Sequence, residues 1–370
     1  MASCLAVTTE MLPVGLLPAI GQSFQVADSV TGLLVGLYAV MVAALAVPLT
    51  LATARFARKP LLLTTVLCYA ISNLTVAFAP TFAVLAAGRV LGGVTHALFF
   101  SLCIGYVPRL ITGPQVGRAL AIAAGGATAG FVLGVPLSTS LGTALGWRAS
   151  FAVLAALSVL TLLLVAVTLP QVPNDRTARH DSEVHSGRTG LAAVVSSNAL
   201  TFLGQFTLYT YVTLLFLAVG VGPTLIGPLL LLCGACGVAG LVYAARTLDH
   251  RPRRTTIVVL TTVIAAVLVL GVGMPALIPV IVAAAVWNGA FGGVPSIYQA
   301  CAVRTRAVSP ELAGAWVNAT ANFGIAGGSA IGAALLPAIG IGGLPWVSAT
   351  LVGAGLAVSL AARRAFPSRP

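Results

Sequence analysis

Glu10 and Arg89 are the two fully charged side chains that this sequence sets deep inside long apolar stretches. Glu10 closes the tripeptide Thr8-Thr9-Glu10 within the run from Ala2 to Ile20, and no other carboxylate falls in the interior of a run of membrane length. Arg89 is likewise the only basic residue deep in such a run. A charge at a bilayer centre costs roughly 2.5 to 3.5 kcal/mol on insertion scales, so such a side chain faces a protein interior or cavity and handles protons, ions or substrate. Proton coupling is the chemistry this pair offers: an ion pair lowers the cost of burying both groups, and protonating Glu10 breaks it and biases the protein between two arrangements. The competing expectation is that Arg89 only ties helices together through backbone carbonyls. His96, seven residues after Arg89, is two helical turns on and shares its face. Its imidazole titrates near neutral pH, which suits a proton relay or a substrate donor, although a histidine donating to a neighbouring helix carbonyl has the same signature.

The elements that must position these residues are transmembrane helices. Of 370 residues, 59% are hydrophobic and 7% charged, and the mean hydropathy is +1.06, whereas a soluble domain carries about 25% charged residues. Apolar runs of about 20 residues containing many Gly and Pro fit membrane helices better than strands of alternating polarity. Spans are predicted at 2–20, 32–53, 60–79, 82–105, 117–141 and 147–169, then at 192–217, 225–245, 255–273, 276–300, 311–336 and 343–362. This is an all-α membrane protein of twelve helices in two six-helix bundles, 1–170 and 191–370, joined by the mixed-charge linker 171–190. The first run lacks a basic leader and carries Glu10, so it reads as a retained helix rather than a signal peptide; a start upstream of Met1 would add a short cytoplasmic arm.

A net charge of +12 would suggest nucleic acid in a soluble protein. Here its placement points to the bilayer. One side receives Arg55, Arg58 and Lys59, then Arg109 and Arg118, the linker arginines, and the basic groups after spans 8, 10 and 12, while the other side receives only Arg148. Basic loops stay cytoplasmic, which places both termini inside and the chain in the cell (inner) membrane. The six cysteines form no disulfide framework, and Cys233-Gly-Ala-Cys236 has redox-motif spacing in mid-span without ligating neighbours, so it is read as packing.

The halves echo one another. The basic turn 55–59 has a counterpart at 246–254, and the glycine ladder Gly126, Gly130, Gly134 has one at Gly324, Gly328, Gly332. A duplication with a central linker is the layout of transporters built from parallel repeats.

These features, with Val14-Gly15-Leu16-Leu17-Pro18 after Glu10, Arg89-Val90-Leu91-Gly92-Gly93, Gly134-Val135-Pro136-Leu137, Gly146-Trp147-Arg148 and Asn322-Phe323-Gly324, resemble the major facilitator superfamily. The likeness is to its twelve-helix drug:proton antiporters, near chloramphenicol resistance exporters, sugar efflux transporters and purine exporters. The resemblance implies that Arg89 takes part in proton coupling. It also implies that the ladder Gly126, Gly130, Gly134 with Pro136 forms a flexible seam between the halves, against helix 8 or its neighbours. The gate loop departs from the superfamily pattern: Thr50, Ala54 and Ala57 stand where Gly, Asp and Gly belong, leaving Arg55, Arg58 and Lys59 to meet head groups or helix C-termini.

Charges leave the spans of the second half and amides and aromatics replace them. Asn198, Gln205, Phe206, Tyr209 and Asn322, with Asn73 in the first half, are the candidate substrate contacts, each equally readable as interhelical glue. No phosphate-cradling loop, zinc pair or nucleophile elbow appears, so neither ATP, a metal nor another cofactor is expected. The expected function is a proton-coupled secondary exporter (antiporter) of small molecules, a monomer working by alternating access, with chloramphenicol-like drugs as substrates. The alternatives are physiological efflux of sugars or purines and, more remotely, an intramembrane enzyme.

Overall fold

The computed structural model of the chain describes residues 1–53, 56–110, 125–170, 188–248, 250–308, 310–363, 365 and 366. Arg55, Arg118 and most of the linker lie outside these residues. Among the described residues every regular element is helical. That follows from the solvent, because in hydrocarbon each backbone polar group must be satisfied within its own segment.

The first bundle comprises α1 (Ala2–Phe24), α2 (Asp28–Ala52), α3 (Arg58–Ala77), α4 (Phe82–Leu110), α5 (Gly125–Leu145) and α6 (Trp147–Thr168). The second comprises α7 (Arg188–Tyr209, continued after a break by Val212–Ala218), α8 (Ile226–Thr247), α9 (Pro252–Gly273) and α10 (Leu277–Phe291, continued by Val294–Arg304). A last helical stretch, Pro310–Ala361, is broken at Gly340, whose φ of 66° lies in the left-handed region that favours glycine. The break divides it into α11 (310–339) and α12 (341–361), which completes the twelve helices expected from the apolar runs.

The register of the duplication can be read from two cations. Lys59 donates to the carbonyl of Ala166 near the end of α6, at 2.9 Å, and Arg253 donates to that of Leu360 near the end of α12, at 3.0 Å. Donor and acceptor are both displaced by 194 residues between the halves (253 − 59 and 360 − 166). Each cation sits where a helix C-terminus presents unpaired carbonyls and a partial negative charge.

Leu67, Ile71 and Leu74 of α3, Leu160, Leu163 and Val167 of α6, and Val269 and Val272 of α9 are exposed on the outer surface. Apolar surface on this scale needs lipid to cover it.

The glycine ladders differ from expectation. Those of α5 face α1 of their own bundle: side-chain atoms added at Gly126, Gly130 and Gly134 would meet Ser3, Cys4 and Thr8. The ladder of α11 faces α7, with Gly324 on Phe202, Gly328 on Leu203 and Gly332 on Tyr211 and Thr207. The seam between bundles is made instead by glycines of α8, Gly227 against Ser140 and Pro136 and Gly234 against Val132, and by glycines of α2, Gly32 against Tyr211 and Gly36 against Ser329 and Ala326. Small-residue spacing licenses close approach but does not name the partner; here the ladder face of α5 is taken by α1, and the adjacent face is left for α8. At the ladder α5 widens into a π-helical turn, Gly130–Gly134, just before Pro136.

Candidate functional site

The site grows from the prolines of α1. Pro13 has no N–H, so the carbonyl of Thr9, four residues earlier, lacks its helical donor. Arg89 of α4 supplies one: its Nη1 donates to the Thr9 carbonyl at 2.5 Å and its Nη2 to the Glu10 carbonyl at 2.6 Å. Its Nε donates to the Leu34 carbonyl of α2 at 3.3 Å, and its guanidinium lies over the Tyr38 ring, 4.4 Å from the centroid. Arg89 is 1% exposed. A planar fork of donors is the group suited to clamping three carbonyls and an aromatic face at once.

The Arg89 guanidinium therefore clamps the α1 backbone; the expected ion pair with the Glu10 carboxylate is not the contact that holds it. The physical reason is Pro13, which presents a buried carbonyl with no other donor. The ionisable neighbour of the carboxylate is His96, whose Nε2 lies 3.8 Å from Glu10 Oε2. His96 Nδ1 is hydrogen bonded to Tyr38 Oη at 2.9 Å, and the imidazole stacks on Phe100 with centroids 4.7 Å apart. Gly92 and Gly93 let α4 approach α2 closely here, since side chains at those positions would run into Tyr38 and Met41.

Asn73 of α3 joins the same group, donating to Thr9 Oγ1 at 3.0 Å. Its Oδ1 is buried without a hydrogen-bond partner, and the Oη of Tyr69, one turn earlier on the same face, is buried beside the Tyr38 hydroxyl. Glu10, Thr9, Tyr38, Tyr69, Asn73, Arg89 and His96 thus form one buried polar cluster inside the first bundle, drawn from four helices. Electrostatically it is a carboxyl, an imidazole and a fixed cation in a water-poor setting, where a proton on one group is felt by the others.

Tyr38 and Tyr69 were not among the candidates from sequence. The signal available was spacing: Tyr69 and Asn73 are four apart, hence on one helix face, and Pro13 stands four after Thr9.

The second-half candidates divide by role. Asn198 donates to the Val317 carbonyl of α11 at 2.8 Å and to Thr320, and Asn322 donates to the carbonyl of Asn318 in its own helix at 3.0 Å. Gln205 accepts from Trp287 Nε1 at 2.6 Å. Phe206 and Tyr209 belong to an aromatic group with Phe202 and Trp287. Phe131 of α5 stacks on Tyr209 at 5.6 Å with planes 22° apart, so this group reaches across both bundles. Asn73 lies with the charged cluster, apart from these.

Two six-helix bundles with a buried charged cluster in one and an aromatic group spanning both define a polytopic membrane transporter. A family model described as Major Facilitator Superfamily matches residues 1–315. A chloramphenicol efflux pump of Mycobacterium tuberculosis is 32% identical over 353 residues, covering 90% of this chain and 84% of that protein. A probable sugar efflux transporter of Mannheimia succiniciproducens is 29% identical over 350 residues, covering 93% and 87%. Among solved structures, a D-xylose-proton symporter superposes with a TM-score of 0.77 at 17% identity over 99% of this chain and 96% of that one. An inward-facing, unoccupied bacterial homologue of the human lysosomal transporter Spinster gives 0.75 at 16% identity, over 98% and 95%. The chain belongs to the Major Facilitator Superfamily and is a transporter, not an enzyme.

Proposed function

We propose that the protein exports small molecules in exchange for protons, with Glu10 as the proton carrier, His96 as its relay and Arg89 as the fixed cation that holds the α1 backbone beside them. The observation that carries this reading is the Glu10 carboxylate itself, 6% exposed and 3.8 Å from an imidazole inside a bundle of apolar helices. The basic loops face the cytoplasm, as their arginine content requires of a bacterial inner-membrane protein. The bundles divide at 170 and 191, and the functional unit is the monomer.

The substrate is a drug-like molecule with an aromatic or apolar face, received by Phe131, Phe206 and Tyr209 and oriented by nearby amides such as Gln205. A chloramphenicol efflux pump among the relatives supports this reading. Sugar efflux is the second reading, favoured by the relatives named for it.

The test is transport in proteoliposomes with an imposed proton gradient, using chloramphenicol and labelled sugars side by side. Gradient-driven efflux that is lost in Glu10→Gln, with normal insertion, is the expected result. Undiminished efflux in that variant removes Glu10 from the mechanism, and movement of sugars alone replaces the drug reading by the second.

A further inference from the structure

The second proline of α1 poses the same problem as the first and meets a different answer. Pro18 leaves the carbonyl of Val14 without a helical donor. That carbonyl accepts a hydrogen bond from Thr213 Oγ1 at 2.7 Å, and Thr213 belongs to the continuation of α7 in the other bundle. Two residues earlier, Tyr211 is fully buried, with its Oη 3.0 Å from the Ser329 carbonyl of α11 and 3.3 Å from the Ser29 carbonyl of α2. The ring passes between Gly32 and Gly332, where any added side chain would overlap it, and Gly36 packs beside it against Ser329 and Ala326. All of these residues lie toward the ends of α2, α7 and α11 that are remote from the basic loops.

We propose that Thr213 and Tyr211 form a polar latch that keeps this face shut, and that Pro18 makes the latch reversible. In an unbroken helix the Val14 carbonyl would be satisfied internally and Thr213 would gain little by reaching it. With Pro18 the carbonyl depends on a donor from outside, either Thr213 when the face is closed or water when it is open. The exchange replaces one hydrogen bond by another, so opening leaves no orphaned group. Apolar packing alone would close the face without fixing which helices part. The latch rests on the alternating-access part of the function proposed above and is independent of the role of Glu10.

The experiment uses spin labels on cysteines introduced as Ala27→Cys and Thr224→Cys, both exposed on this face in different bundles, with the six native cysteines replaced. Distances are measured by electron–electron double resonance in liposomes. Thr213→Val and Tyr211→Phe should each raise the population of long distances about fivefold, as loss of one hydrogen bond predicts. Pro18→Ala restores an N–H to the Val14 carbonyl, so Thr213→Val should add little in that background, a non-additivity that lost packing does not produce. Unchanged distances in the Thr213 and Tyr211 variants overturn the latch, and equal effects of Thr213→Val with and without Pro18 overturn the part given to the proline. If the latch fails while the parent protein still transports, the function proposed above stands. If the variants open as expected but the parent moves no solute, the latch stands without it.

Discussion

Arg89 donates to the carbonyl oxygen of Thr9 at 2.5 Å, a bond that exists because Pro13 cannot make it. This relationship changes what the buried arginine does: it holds a helix in place, and through that helix it holds the carboxylate of Glu10 next to His96. The first prediction tests it. Arg89→Lys keeps the charge but loses the fork, and should lower stability by about 1.5–3 kcal/mol, the range for hydrogen bonds to charged groups. Pro13→Ala returns a donor to Thr9 and should recover part of that loss. Thermal unfolding in detergent is the measurement, and no recovery in the double variant would mean that the proline is irrelevant to the clamp.

Tyr38 and Tyr69 make a paired prediction. Tyr38 bonds His96, so Tyr38→Phe should cost roughly 1 kcal/mol and impair gradient-driven efflux. The Tyr69 hydroxyl lies buried against the Tyr38 hydroxyl in a looser contact, so Tyr69→Phe should cost less stability than Tyr38→Phe. Denaturation midpoints of the two variants decide the matter; a larger loss for Tyr69→Phe would reverse the assignment.

Gly134 is where a side chain would collide with the Thr8 hydroxyl. Gly134→Ala should destabilise the protein by about 1–3 kcal/mol, the usual cost of overpacking, whereas Gly353→Ala, which meets open space, should be tolerated. Thr8→Ala should relieve part of the clash. Comparing folded yield and melting temperature across the three checks the packing of α5 on α1.

Phe131 and Tyr209 stack across the bundles. If they receive an aromatic substrate, replacing either by Ala should raise the KM for chloramphenicol about three- to tenfold, as expected for a stacking contribution of about 0.5–1.5 kcal/mol. A variant with lowered maximal rate and unaltered KM would assign the pair to the moving interface instead.

The architecture was legible in the sequence because twenty apolar residues have few fates other than a membrane helix, and because the bilayer permits one solution to backbone hydrogen bonding. The charged cluster was legible in its costliest members, Glu10, Arg89 and His96. Their partnership was not, since periodicity does not fix how α1, α2 and α4 rotate against one another, and the ion pair expected of Arg89 proved to be a carbonyl clamp. The ladder of Gly126, Gly130 and Gly134 announced close packing but not its partner, because a glycine face is equally open to α1 and to α8. Asn198 and Gln205 stood out as amides in apolar runs, but their partners lie on other helices, Val317 and Thr320 for the one and Trp287 for the other, and spacing along a single helix does not name them.

The two prolines of α1 also bear on how the protein is made. Thr9 meets its donor 80 residues later in the chain and Val14 meets its own 199 residues later. A helix that leaves the ribosome before its donors therefore enters the membrane with two unanswered carbonyls, each a burden of several kcal/mol in hydrocarbon. Until α4 and then α7 have been synthesised, α1 must draw on water or head groups, so its final seating waits on segments translated well after it.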